Sequence, residues 1–328
     1  MERTIKWGIL GTGWIARKFA DGLKSVPDAE LYAISSRSKS TADSFAKEYN
    51  IPVAYGSYEE MASDANIDVV YIATPHNLHC ENTLMCLEAG RNVLCEKPFA
   101  VNGKEVRMMI EKAKEKNVFL MEALWSKFLP HIIQTKELIK QGAIGEVKFM
   151  KCDFGINTPY DPAHRHFNRE LIGGSLLDVG IYPVFLSTYL FGQPKSFKTM
   201  AGLGETQVDF NCSMAFKYDR ELISVMYSSV VAKTDVAAEI HGTKGKIIMD
   251  EWWFTPVNAY IVDLSGRKQK IDVKTIGNGY NYEAVEVGKC LRAGKKQSDI
   301  MSWQDSVELI DLLDAIRKEC GIVYPGHD

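Results

Sequence analysis

No low-complexity linker and no internal repeat interrupts the 328 residues, no cysteine pair has C-x-x-C spacing, and positive charge is not in excess. A net charge of -3 with an isoelectric point near 6.2 leaves no broad basic field, so nucleic acid and anionic membrane surfaces are poor partners. The seven cysteines are scattered: Cys80, Cys86, Cys95, Cys152, Cys212, Cys290 and Cys320. An odd number in mostly apolar surroundings reads as packed, reduced thiols. Met1 to Lys6 lacks a charged segment followed by an apolar one, and no window is expected to approach the roughly 18 apolar residues of a membrane span. The expected compartment is the cytoplasm. His76 with His79, and His164 with His166, lack an obvious third ligand, so no metal site is expected.

What is present is enough apolar residue, 46%, for full cores, and a length suited to two domains. Up to residue 122, short β-branched runs alternate with helical patterns. Strands are predicted at 5–10, 30–35, 69–73, 92–95 and 118–121, with helices at 15–26, 40–49, 79–89 and 102–116. Such alternation demands crossover helices, hence a parallel, doubly wound Rossmann sheet with ligands at the carboxyl ends of its strands. From 123 to 328 the pattern becomes α+β. Helices are predicted at 131–141, 173–191, 282–293 and 303–319, and strands at 145–154, 195–201, 210–217, 221–230, 237–241, 245–250 and 259–264. Short turns between these strands favour a mostly antiparallel open sheet. Periodicity leaves open whether helix 303–319 returns to the first domain.

Gly11-Thr12-Gly13-Trp14-Ile15-Ala16 follows the first strand and opens a helix. The first glycine permits a tight turn, the second a close approach by a pyrophosphate, and the small Ala16 close helix packing. Trp14 either covers the phosphates or fills the domain seam. A strand that serves NAD ordinarily ends in an acid that binds the ribose hydroxyls. Here the end is Ser35-Ser36-Arg37-Ser38-Lys39, and Ser36 with Arg37 suits a 2′-phosphate, which makes NADP the expected cofactor. Thr74, Pro75, His76 and His79 fall at the same edge of the sheet and are candidate cofactor contacts; His76 is expected near the nicotinamide. Capping and loop packing are the plainer alternatives for both histidines.

Asp178 and Tyr182, four apart in a helical stretch, share a face, and Gly180 between them permits close approach of a flat ligand. A free tyrosine has a pKa of about 10 and is only about 0.1% ionised at pH 7, so its use as a base calls for a neighbouring cation. Lys97, in Glu96-Lys97-Pro98 at the end of the fifth strand, is the candidate. Taken singly, each has a structural alternative: a surface lysine, a capping aspartate, a packed tyrosine.

Together, Gly11-Thr12-Gly13, Glu96-Lys97-Pro98 and the Gly-Gly-x-x-x-Asp-x-Gly-x-Tyr run from Gly173 to Tyr182 resemble the Gfo/Idh/MocA oxidoreductase family over essentially the whole chain. The run Met121 to Pro130, and tyrosine where most members carry histidine, resemble the branch of dimeric dihydrodiol and NADP-dependent D-xylose dehydrogenases. The resemblance implies Tyr182 as acid/base, Lys97 as its activating partner, and a substrate pocket near His76, Trp125 and Phe154. It also implies a homodimer through the open side of the C-terminal sheet. The loop Ala163 to Arg169 departs from the mammalian dihydrodiol enzymes; Arg165 there contacts substrate or partner subunit, or only anchors the loop. Hydride transfer to or from a carbinol of a sugar, polyol or dihydrodiol is the expected chemistry. Asp178 is expected to orient Lys97 or a substrate hydroxyl. An NAD-dependent glycosidase on the same scaffold and a non-catalytic NADP-sensing regulator are the alternatives.

Overall fold

The computed structural model describes residues 3–328. The chain divides into two compact units, Met1–Trp125 with Ile276–Val307, and Ser126–Thr275 with Glu308–Asp328. This differs from the single boundary expected after residue 122, because the return to the first unit begins at Ile276.

In the first unit the order is β1 (Ile5–Leu10), α1 (Trp14–Leu23), β2 (Ala29–Ser35), α2 (Lys39–Tyr49), β3 (Val53–Tyr55), α3 (Tyr58–Ser63), β4 (Val69–Ile72), α4 (His79–Glu88), β5 (Asn92–Glu96), α5 (Gly103–Lys116) and β6 (Leu120–Ala123). The sheet is wholly parallel, in the order β3-β2-β1-β4-β5-β6. Strand order therefore reverses between β1 and β4, and that switch point opens a crevice at their carboxyl ends. β4 is buried throughout, as a strand covered by helices on both faces must be. β3 and α3 escape periodicity because they are only 3 and 6 residues long. The Ser57-x-x-Glu60 box marks the start of α3: the Ser57 side chain accepts a hydrogen bond from the Glu60 amide at 3.2 Å.

The second unit contains α6 (Pro130–Lys140), β7 (Val147–Gly155), a π-helical turn at Leu176–Gly180, and α7 (Ile181–Phe191). The strands β8 (Ser196–Leu203), β9 (Asp209–Lys217), β10 (Ile223–Ser229), β11 (Ala238–Gly242), β12 (Gly245–Met249), β13 (Ala259–Asp263) and β14 (Lys268–Lys270) follow. They form one sheet with β7, ordered β14-β13-β12-β11-β7-β10-β9-β8. All its pairs are antiparallel except β7 with β10, which the crossover through α7 makes parallel. The remaining helices are α8 (Tyr280–Arg292), in the first unit, and α9 (Trp303–Cys320), within which the division falls.

Residues Arg169–Phe191 contain a window of mean hydropathy 1.4, long and apolar enough to cross a membrane by composition, contrary to the expectation of none. That window is 89% buried within the protein, and the chain breaks from helical geometry at Ile172 and Gly174, where φ is positive. It is a core segment lying under β7 and β10. Facing it are the buried residues Ser224, Met226 and Ser228 of β10, whereas Ile223 and Val225 on the opposite face are exposed.

The turn Trp252–Phe254 is tied down by its backbone. The Trp253 carbonyl accepts from His131 Nε2 at 2.8 Å, the Phe254 carbonyl from the Ser126 hydroxyl at 3.0 Å, and the Trp253 indole donates to the Asp153 carbonyl at 3.1 Å. Burial pushes the His131 pKa down. Trp253 is fully buried, so Trp253→Ala is expected to cost about 3–5 kcal/mol in urea unfolding.

Candidate active site

Gly11 has φ +108°, and a β-carbon there would meet the Ala73 carbonyl at 2.7 Å, so β1 and β4 can converge only over glycine. Gly13 caps α1 without a side-chain hydrogen bond, and nothing lies within 4 Å of the space its β-carbon would fill. The first turn of α1 carries no acid. Open backbone at a helix N-terminus with no competing carboxylate fits a dinucleotide pyrophosphate. Thr12 and Ile15 are half-buried beside it, while Trp14 is 68% exposed, its ring near the Lys18 ammonium and not packed into a core.

At the neighbouring strand end, the Gly11 amide donates to the Ser35 carbonyl at 3.0 Å and the Ser36 amide to the Tyr55 carbonyl at 3.3 Å. Arg37 is exposed; its guanidinium lies by Tyr58, whose pKa is raised by burial and partly lowered by that cation. At the end of β4, the Thr74 hydroxyl accepts from the Asn82 amide at 3.0 Å. His79 is fully buried, with Nε2 2.9 Å from the Thr74 carbonyl and Nδ1 2.7 Å from the Pro98 carbonyl. Burial holds its pKa below the ordinary value against the pull of the two carbonyls. The His79 ring thus stands between β4 and the turn that carries Lys97, and in its neutral form it donates to one of the two carbonyls. His76 stands beside it, ring centroids 5.6 Å apart.

Glu96 is buried, accepts from the Tyr71 hydroxyl, and accepts from the Lys97 amide at 3.2 Å. Burial first and the Glu96 charge second push the carboxyl of Glu283, on α8, well above its usual range. Sequence reading missed Glu283, for a lone acid within a helical pattern gives no signal of its depth. Trp125 stacks on Tyr280 at 4.2 Å, another partner that only the return of α8 supplies.

In the second unit, Asp178 lies in the π-helical turn and Tyr182 in the first turn of α7, both buried. Wide π turns recur at functional sites because they displace side chains from the regular helical phase. The Tyr182 ring is enclosed by Phe154 at 5.4 Å and Phe254 at 4.8 Å; Phe154 and Phe254 stack at 4.2 Å, and Trp252 meets Phe154 edge-on at 6.1 Å. The contiguous aromatics Trp252, Trp253 and Phe254 were a visible signal for this wall. Asp178 Oδ2 is 3.1 Å from both Arg165 Nη2 and His166 Nε2. Arg165, expected to contact substrate or partner subunit or only to anchor the loop, reaches the Asp178 carboxylate of its own chain. No cluster of three or more potential metal ligands occurs among the described residues.

Asp209 underlies this turn. Its Oδ2 accepts from the Ser175 hydroxyl at 2.8 Å and the Leu176 amide at 2.6 Å. Burial pushes its pKa up to about 7 despite those bonds. The folded pKa exceeds the unfolded value of about 3.9, so the folded chain retains a proton over that window. The stability this confers is complete below about pH 4 and is lost as pH rises through the folded value, on the order of 4 kcal/mol in all. Asp209→Asn is expected to flatten that part of the pH dependence of urea unfolding.

Family models match both parts of the chain: the oxidoreductase family with NAD-binding Rossmann fold, GFO_IDH_MocA, over residues 5–124, and the GFO/IDH/MocA C-terminal domain over 132–248. Trans-1,2-dihydrobenzene-1,2-diol dehydrogenase of Xenopus laevis is 39% identical over 332 residues, covering 98% of this chain and 99% of its own. The Homo sapiens enzyme of that name is 34% identical, with 98% of each chain covered. Among solved structures, aldose-aldose oxidoreductase from Caulobacter crescentus, complexed with glycerol, superposes with a TM-score of 0.87 at 23% identity over 97% of this chain and 98% of its own. Levoglucosan dehydrogenase, complexed with NADH and levoglucosan, gives 0.85 at 21% over the same shares. Domain matches over both parts of the chain and relatives of 34–39% identity along its full length show that the chain belongs to the Gfo/Idh/MocA family of oxidoreductases.

Proposed function

We propose that this oxidoreductase is an NADP-dependent dehydrogenase that oxidises a carbinol of a dihydrodiol, polyol or sugar. The enclosure of Tyr182 by Phe154 and Phe254 carries the reading: a hydroxylated ring gains apolar contact from such a wall while a phenol stands ready for its proton. The full-length relatives named for a dihydrodiol support the cyclic substrate. When bound, the nicotinamide accepts or supplies the hydride. Tyr182 takes the hydroxyl proton in oxidation and returns it in reduction. Lys97 is the cation that favours the phenolate. Asp178 orients a substrate hydroxyl; His76 and Trp125 are further candidate substrate contacts.

NADP over NAD rests on Ser36 and the exposed Arg37, with no acid between Ser35 and Lys39 to repel a 2′-phosphate. A homodimer through the open sheet face is supported by its apolar residues. Met200 on β8 is 74% exposed, and Ile223 and Val225 on β10, two strands away across β9, are nearly half exposed. The five buried cysteines suit a reducing compartment, the cytoplasm.

The test follows NADPH formation with trans-dihydrodiols, inositols, other polyols and aldoses. Turnover on at least one of these, with kcat/KM for NADP at least about tenfold above that for NAD, is expected. Arg37→Asp should invert the cofactor ratio while leaving KM for the carbinol unchanged. Oxidation of none of these classes would overturn the reading.

A further inference from the structure

The loop Ala163–Arg169 meets the Asp178 turn through the buried His166. His166 Nδ1 is 2.7 Å from the Thr158 hydroxyl, and Nε2 is 3.1 Å from Asp178 Oδ2. The Nε2 contact has ion-pair distance without the in-line geometry of a hydrogen bond. The same residue's carbonyl accepts from the Gly174 amide at 2.9 Å, and the Gly173 amide donates to the Asn168 carbonyl at 2.9 Å. A β-carbon on Gly173 would stand within 2.9 Å of backbone atoms of Arg165, His166 and Asn168, so loop and turn close only over glycine.

Histidine 166 therefore holds both ends of one structural unit, the glycine turn by its main chain and the aspartate after it by its ring. Arg165 reaches the same carboxylate oxygen but is 55% exposed, where solvent weakens its hold; Asp178 itself is 6% exposed. The charged and titratable groups facing the imidazole are Asp178 from the π-helical turn, and Arg165 and His164 from its own loop, the His164 ring 4.7 Å away. The Thr158 hydroxyl can donate to Nδ1, which would leave the ring proton on Nε2, the nitrogen nearer the carboxylate.

We propose that His166 is a positioning residue for the dehydrogenase reaction, holding the Asp178 carboxylate where it orients the substrate hydroxyl for Tyr182. This rests on the function proposed above, in which Asp178 faces substrate. It assigns the loop Ala163–Arg169 a part in the reaction: its buried histidine sets the aspartate, and its exposed arginine stands over it.

Two measurements on the full chain test this. In turnover, His166→Leu, which removes both ring nitrogens, is expected to lower kcat at least about tenfold with KM for NADP unchanged. His166→Gln, which keeps a donor at the Nε2 end, should recover most of the loss. A role in packing alone predicts no rescue. In thermal unfolding without substrate, His166→Leu, Asp178→Asn and the double variant form a cycle: the double variant's midpoint should equal that of the lower single variant, because the two changes remove one contact. Additive midpoint shifts, or a folded His166→Leu with kcat within about twofold of wild type, would overturn the proposal. Should His166→Leu fail to fold, Thr158→Val decides, since it removes the hydroxyl that sets the ring: a kcat within about twofold of wild type would overturn the proposal. If wild type oxidises no carbinol, the dehydrogenase reading fails while the unfolding cycle still decides the clamp.

Discussion

Two successive glycines, Gly173 and Gly174, are the constraint on which the second unit's chemistry depends. Gly174 has φ +117°, a conformation costly for any side chain, and a β-carbon there would collide with the Asp209 carboxylate. The chain must turn here because Asp209 below and the loop of His166 above leave only backbone thickness between them. From this turn the Ser175 hydroxyl and Leu176 amide drop onto Asp209, and the Tyr324 hydroxyl donates to the Gly173 carbonyl at 2.7 Å. The π-helical turn starts from a point braced on three sides. Asp178 and Tyr182 inherit their direction from it.

The first unit solves the matching problem with different parts. Gly11 lets β1 approach β4, and the buried His79 ring fills the space between the end of β4 and the turn of Lys97. Glu96 anchors the base of that turn through Tyr71, and its charge helps to raise the pKa of the buried Glu283. In both units the groups assigned to chemistry are held by buried polar residues that take no part in it. Such support limits the reorganisation that catalytic groups need at the moment of reaction.

Much of this was legible in the sequence, for reasons specific to the parts. β1 was predicted at its observed bounds because a continuous apolar run ends at a glycine turn, and the alternation after it required a parallel sheet. The family motifs fixed attention on Lys97, Asp178 and Tyr182. The π-helical turn was illegible, since a single widened turn leaves the hydrophobic pattern of residues 173–191 unchanged. The return of residues 276–307 to the first unit rests on tertiary packing, as does the stacking of Tyr280 on Trp125. His166 was visible only as half of an unconvincing metal pair; that its ring meets Asp178 depends on a fold of the loop that no local pattern encodes.

The central claim is that Tyr182 exchanges the substrate proton. The most direct measurement is single-turnover NADPH formation by wild type and Tyr182→Phe on a carbinol that the wild type oxidises, with NADP affinity measured separately. The account predicts a fall in the chemical step of at least about a hundredfold with NADP binding retained. A Tyr182→Phe rate within a fewfold of wild type would contradict it and assign the proton to another group.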